Sequence, residues 1–542
     1  MHYSLQFLIE RTEEVFHGFW IEVAAAALLS AVLYAIYRKL PKVGLHFLES
    51  AKRSWRSIAA AMCLPVAIRL ACLPWMPPPV PKVHDEFVHL LAADTLVAGR
   101  LANPPHPLAR HFETVYVLQR PAYASIYPLG QGMVLAAGKL IGHPWAGVLL
   151  AVALMSGAIM WMLFGCLPPP WAVLGAILAA LAYGLADEWI DSYYGGALCA
   201  FGGALVFGAL LRLRALLSKR LALIAGVGWS IVSLVRPFES VFTFVVVWTI
   251  VTAFAWRSVK QWLAPAAVLA LAQMAGVAIT AVHNRAVTGS FTTLPYQLSQ
   301  RDYGVPQTFL GQKPVPEPPL RFPELRQVYD WQRGQKDSLE QRPFARFGAV
   351  VYNTWLFFVT PWFSVPLVLA LLTLRNDPKL AIAAGILACA TALGTLYPFF
   401  NARYLAAYAC VFMFLIVRGL MLLSHRSVAG KVAACFLVIG GMTMGLIGLK
   451  PPYEIPVPRQ PVVKQLAAIP GRHVVFVRYG PTHSFLSEWV YNTADIDASR
   501  IVWARSMGPA DDAEVARYYK DRQTWIADVE ANSVRLAPYR LH

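Results

Sequence analysis

Charge is what this chain has least of. Only 14% of its 542 residues are Asp, Glu, Lys or Arg, against 57% apolar residues, where an ordinary soluble domain carries roughly 25% charge. Mean hydropathy is +0.50. That balance excludes a disordered chain and argues against a soluble enzyme. Cysteine is sparse as well: the seven, at 63, 72, 166, 199, 389, 410 and 435, fall in or beside apolar runs, and no Cys-x-x-Cys occurs. Neither a disulfide scaffold nor a thiolate metal site is expected. The sequence also lacks any low-complexity tract, and its C-terminal region lacks a Gly-rich phosphate loop. Its first 18 residues set Glu10, Glu13 and Glu14 against Arg11, unlike the basic start of a signal peptide, so no cleaved leader is expected.

What the chain has is long apolar runs. A helix needs about 20 apolar residues to cross roughly 30 Å of hydrocarbon. Twelve spans are predicted, at 19–37, 55–75, 145–164, 171–188, 195–211, 221–236, 238–255, 262–282, 348–373, 380–398, 404–423 and 431–449. The pair meeting at Arg236-Pro237 is tightly joined, and proline there suits a helix start or a turn.

The formal charge of +17 is explained by short basic loops rather than by nucleic-acid binding. Arg38, Lys39, Lys42, Lys52, Arg53 and Arg56 lie in the first; Arg212, Arg214, Lys219 and Arg220 in the second; Arg257 with Lys260, Arg375 with Lys379, and Arg426 with Lys431 mark three more. Loops of this kind stay cytoplasmic. The alternate set, 76–144, 283–347 and the tail from 450, is then external, as is the N-terminus.

Within the first external segment, residues 84–100 read as one helix, with Phe87, Leu90, Leu91, Leu96 and Val97 toward one side and Gly99 to stop it; such a helix suits a membrane surface. In the tail, apolar runs at Val474–Val477, Ile501–Ala504 and Thr524–Ala527, with a helix over Asp511–Tyr519, predict a small α/β unit with a parallel sheet. Three domains follow: 1–54, an extra N-terminal helix with a basic loop; 55–450, the membrane domain with its external loops; and 451–542, the external α/β unit.

Charged groups cluster at the outer ends of the spans. They are Asp85 and Glu86 after the second span, Arg69 below its outer end, Asp187, Glu188 and Asp191 beside Tyr193 and Tyr194, Arg236 and Glu239 at the turn, His283 and Arg285, and Arg403 with Tyr404. Charges near membrane depth are costly and mark functional sites. Arginine and histidine at that level suit a lipid phosphate, and a carboxylate beside them suits proton removal from a hydroxyl. The bland alternatives are a helix cap for Asp85, a dipole partner for Glu86 and snorkelling arginines at 236 and 403. His84, His89, His106 and His111 are not spaced to share a metal, and no metal is expected. Aromatic clusters at 355–363 and 397–404 read as interfacial belts.

The Asp85-Glu86 pair early in the first large external loop resembles the acidic motif of the GT-C glycosyltransferases. That fold includes the dolichyl-phosphate-mannose protein mannosyltransferases and the bacterial lipid A aminoarabinose transferases. The run Asp85–Gly99, then Asn103-Pro104-Pro105-His106-Pro107-Leu108, then Pro121 through Gly132, supported by Ser192–Gly196 and Thr288-Gly289-Ser290, is similar to a bacterial mannosyltransferase-like membrane family over roughly residues 55–425. The first span is an addition to that pattern, and the tail is not shared by all members.

The resemblance implies a GT-C-like fold in a bacterial inner membrane with its active site on the periplasmic side. It implies an inverting transfer of a sugar from a polyprenyl-phosphate donor to an acceptor hydroxyl on a protein, a lipid or a glycan. Asp85 would be the base and Glu86 would orient the site or bind sugar. Arg236, His283 and Arg403 would steady the departing phosphate; Arg69, Lys139, Asp191, Tyr193, Glu239 and Tyr404 complete the candidate set. No general acid is called for, because a lipid phosphate is already a good leaving group; no cofactor is expected, and a divalent ion at the acidic motif, as in some GT-C relatives, is not supported by the sequence. A flippase for lipid-linked sugars, an O-antigen-type ligase or polymerase, and a non-enzymatic envelope scaffold stand as alternatives. The sequence does not assign the tail a role.

Overall fold

A computed structural model describes residues 20–32, 53–185, 189–305, 309–313, 316–447 and 459–540. The chain is mostly helical, and a helix stands at each of the twelve expected spans. Five helices among the described residues are long and apolar enough to cross a membrane: Pro144–Leu163, Pro237–Ala255, Val259–Thr288, Ala402–Arg426 and Val428–Leu446. The span expected at 348–373 is two helices, Pro343–Phe358 and Pro361–Leu372, bent by 88°, and counts as a sixth only if taken whole. Others are short. Trp55–Ala71, Ala197–Leu213, Lys219–Val235 and Pro378–Gly394 have 17 residues each, about 26 Å at 1.5 Å per residue. A count of twelve full crossings is therefore not established by helix length.

The bundle closes around Ala409–Arg426. This helix is apolar on every side, and every residue from Ala409 to Val417 is buried, as expected of a helix at the centre of a core. Trp362, Phe363 and Phe358 are each 1% exposed and pack into the same core. The aromatics of 355–363 therefore fill the bundle at the bend rather than forming an interfacial belt. Exposed tryptophans at helix ends, Trp55, Trp75 and Trp256, fit that description better.

Two helices meet at Arg236. Lys219–Val235 runs from the basic turn at 214–218, and Pro237 begins the next helix, so Arg236 caps both. Proline lacks an N–H and fixes φ, which favours a helix start and forces the break. Arg236 is thereby held at the end of the bundle opposite that basic turn.

The described parts of 76–144 and 283–347, the segments that the basic loops lead one to expect on the external side, form one body with the tail above this end. The helix His84–Val97 is buried on several sides, through Glu86, Val88, Leu91, Ala92, Ala93 and Thr95. Val88 and Leu91 share an apolar core with Val474, Phe476 and Val502 of the tail, while Ala93 packs with Leu135 and Ala136. The expected surface helix is thus covered by the tail, which a local hydrophobic pattern could not reveal. Gly132 permits the close approach of the neighbouring helix Leu129–Leu140: a Cβ there would lie 2.9 Å from that of Ala92.

The tail is an α/β unit. Its four-stranded sheet has the spatial order Ile501–Arg505, Arg472–Tyr479, Arg522–Val529, Val534–Pro538, with the first three parallel and the last antiparallel. Three strands and the helix Pro509–Tyr518 match the sequence expectation. The fourth strand returns through a tight turn in which Glu530 N–H donates to Ser533 O.

A buried ion triad fastens the tail to the second external segment. Arg505, 3% exposed, donates to Glu324 of the helix Pro323–Glu340 at 2.5 Å and to Glu488 of the tail at 2.6 Å. Burial pushes the Glu488 carboxyl up, but Arg505 and the Tyr479 hydroxyl outweigh it and hold the carboxyl below its usual value. Removing the cation would strand two buried carboxylates, at about 3–5 kcal/mol for breaking such a pair. Arg505→Met is expected to lower the unfolding midpoint of the full-length protein and open the tail to protease. An unchanged midpoint and digestion pattern would show that the triad does not hold the tail.

Candidate functional site

Between the bundle and the external body lies a cavity of about 790 Å³, within the range of small-molecule sites. Asp85, Arg236, Glu239, His283, Arg403 and Tyr404, from four separate segments, all border it. The sequence placed these residues on one outer face, and the fold brings them to one chamber.

Asp85 sits in the first turn of His84–Val97, with Val83 rather than Asp85 in the capping position. Its Oδ1 accepts a short hydrogen bond from the Tyr127 hydroxyl. Among the described residues, Oδ2 accepts no protein hydrogen bond, and the side chain is 27% exposed. Burial alone would lift this carboxyl. The His84 ring, the Tyr127 hydroxyl and Arg403 together outweigh burial and hold it below the usual carboxylate value. Asp85 is therefore ionised at neutral pH. His84 and His89 flank it; burial depresses both rings, His89 to about 4, so both are neutral there.

The cations arrive from helix ends. Arg236 lies 4.4 Å above the Tyr404 ring and forms no ion pair with a carboxylate among the described residues. Arg403 lies 4.2 Å over the ring of Tyr194, and its backbone N–H donates to Asn401. Gly130 lets the Leu129–Leu140 helix abut the corner before Arg236, since a Cβ would meet Val235 at 2.6 Å. His283, 5% exposed, faces the cavity from Val259–Thr288.

The remaining sequence candidates lie elsewhere. Glu86 is 3% exposed, and its carboxylate accepts from the backbone N–H groups of Lys82, Val83 and Tyr193 at 2.8, 3.3 and 3.1 Å. Burial lifts its carboxyl despite these donors. Arg69 is fully buried, bonded to Asp191 at 2.7 and 2.8 Å and to the carbonyls of Met76 and Pro77, and lies over Trp145. The Tyr193 hydroxyl donates to Pro79 O. Together these groups fasten the chain between the bundle and the Asp85 helix. Lys139 pairs with Asp94 on the surface. Asp187 and Glu188 lie outside the described residues. Neighbours on a helix point about 100° apart, so Asp85 and Glu86 cannot share one role by adjacency.

Several residues that sequence reasoning missed also line the chamber. Tyr127 is 42 positions from the carboxylate it holds. Tyr116 has φ 62, a conformation that costs a non-glycine residue of order 1–3 kcal/mol and concentrates at functional sites; its ring meets His84 edge-on at 4.7 Å. Tyr397, Phe399 and Phe400 line the same chamber, so the 397–404 aromatics belong to it rather than to a belt. Among the described residues, no three of His, Cys, Asp and Glu converge to hold a metal ion.

A second, almost wholly apolar cavity of about 320 Å³ adjoins the first, and Phe238, Glu239, Tyr397 and Tyr404 border both. It runs between Pro237–Ala255 and Pro378–Gly394, past Val241 and Val245, which are 62% and 54% exposed.

No family model matches the chain, and no curated protein does. Among solved structures it is similar to ArnT from Cupriavidus metallidurans bound to undecaprenyl phosphate, at 12% identity and a TM-score of 0.45, covering 86% of this chain and 92% of that one. A likeness this distant fixes neither activity nor substrate.

The division between lining and fastening residues has a direct consequence. Arg69→Met removes a buried guanidinium and leaves Asp191 and the carbonyls of Met76 and Pro77 without their donor, so the folded state should lose about 3 kcal/mol or more. Lys139→Ala, which removes an exposed cation from a half-buried Asp94, should cost less, about 1 kcal/mol. Unfolding midpoints of the purified proteins check the contrast, and equal effects would contradict it.

Proposed function

We propose that the protein is a GT-C-type membrane glycosyltransferase that moves a sugar from a polyprenyl-phosphate donor to an acceptor hydroxyl, with inversion at the anomeric carbon. The observation that carries this reading is the convergence of Asp85 with Arg236, Arg403 and His283 on one chamber that continues into an apolar groove. An isoprenoid tail fits the groove between two membrane helices. Its phosphate would then lie at the arginines, where charge-assisted hydrogen bonds are strongest. The positive end of the Pro237–Ala255 helix dipole favours the same anion.

Chemistry follows from that placement. The acceptor oxygen attacks the anomeric carbon as its proton passes to Asp85. The bond from that carbon to the phosphate oxygen breaks, and the electron pair leaves with the polyprenyl phosphate. Arg236 and Arg403 stabilise the charge that develops there. A single displacement inverts configuration. By the distribution of basic loops, the chamber lies on the external face, periplasmic in a bacterial inner membrane. The clustering of charge at one end of the bundle favours an enzyme over a flippase, whose polar groups belong near the bilayer midplane.

Asp85→Asn should lower transfer by about 10²–10⁴-fold while undecaprenyl phosphate still binds. Near-normal transfer by a folded Asp85→Asn protein would contradict the assignment. Because its neighbours hold the Asp85 carboxyl below its ordinary value, the acid limb of the pH–rate profile should lie on the acid side of an ordinary aspartate's. Tyr127→Phe removes one of the interactions that lower it, so that limb should move to higher pH. An unmoved limb would show that another group is the base.

A further inference from the structure

The cavity has a wall that neither the groove nor the arginines use. The turn Phe485–Ser487 of the C-terminal unit brings Phe485 and Leu486 into the lining. Phe485 lies 5.9 Å from Trp331 of the external helix Pro323–Glu340 and 6.2 Å from the ring of His84, the neighbour of Asp85. Trp331 in turn stacks on Phe399 at 5.6 Å. An aromatic surface built from three distant parts of the chain thus flanks the base-bearing helix.

Its placement is enforced. Gln327, on the same helix as Trp331, accepts from the Phe485 N–H at 3.1 Å and donates to His483 O at 3.2 Å. The Glu324–Arg505–Glu488 triad ties that helix to the residue immediately after the turn. A clamp on each side of one short turn is the support that a binding wall requires.

A pyranose presents C–H bonds on its faces and hydroxyls around its edge, so a fixed aromatic surface suits the face of the ring. The ring that must sit beside Asp85 is the one whose anomeric carbon is attacked. We propose that the C-terminal unit is a working part of the donor site: Phe485, with Trp331, forms the stacking face for the sugar of the lipid-linked donor. This rests on the reading of the chamber as a polyprenyl-phosphate site. It gives the tail a role in sugar selection, distinct from phosphate capture at Arg236 and Arg403.

The test compares two probes on the full-length protein in lipid nanodiscs: undecaprenyl phosphate, and undecaprenyl phosphate carrying one hexopyranose, taken in turn as glucose, mannose and galactose. Wild type should bind at least one glycosylated lipid more tightly than the bare one. Phe485→Leu keeps the apolar bulk but removes the ring; it should weaken the preferred glycosylated lipid about tenfold and the bare lipid less than about twofold, and Phe485→Tyr should restore binding. If Phe485→Leu does not fold, Trp331→Leu carries the same comparison. Equal weakening of both probes, or none, overturns the stacking role. Wild type that binds both lipids equally overturns it too, while leaving the lipid-phosphate reading intact. Wild type that binds neither lipid removes that reading, and the stacking role with it.

Discussion

Charge held at the rim of an apolar bundle is the constraint from which the rest of the structure follows. The carboxylates of Asp85 and Glu239 and the guanidinium groups of Arg236 and Arg403 border one chamber, and each is expensive to hold out of bulk water. The fold meets that cost by distributing the charges over different helix ends. Arg236 occupies the corner between two helices, and Arg403 precedes the central buried one. Asp85 rides on a helix of the external body and is steadied by a tyrosine hydroxyl. Rings under the guanidinium groups, Tyr404 beneath Arg236 and Tyr194 beneath Arg403, add cation–π contacts that help to hold the cations at the chamber.

Around this chamber a second set of charges does mechanical work. Arg69 with Asp191, Glu86 with three backbone donors, and Arg505 with two glutamates are buried and mutually satisfied. They join the bundle to the external helix, and the external segments to the tail. Their geometry keeps them out of the chamber, and their partners leave little capacity for a ligand. The distinction between a satisfied charge and one facing a cavity separates structure from function here.

Much of the bundle was legible because hydrophobic length is a local property. The turn at Arg236-Pro237, the stop at Gly99 and three tail strands were all readable from neighbouring residues. The bend between Pro343–Phe358 and Pro361–Leu372 was not, because composition reports the apolar run and not its direction. In the site, position at one end of the bundle was legible for Asp85, Arg236, His283 and Arg403. It could not separate them from Arg69 or Glu86, since partnering depends on contacts across 100 residues or more, as between Arg69 and Asp191. Tyr127 and Phe485 were invisible for the same reason: what marks each is a neighbour far away in sequence.

The most direct measurement of the central claim is an experimental structure of the full-length protein with undecaprenyl phosphate bound. The account predicts the phosphate within hydrogen-bonding distance of Arg236 and Arg403, about 3 Å. It predicts the isoprenoid along the groove between Pro237–Ala255 and Pro378–Gly394, with Asp85 across the open chamber. A lipid bound at another surface, with that chamber empty, would contradict it.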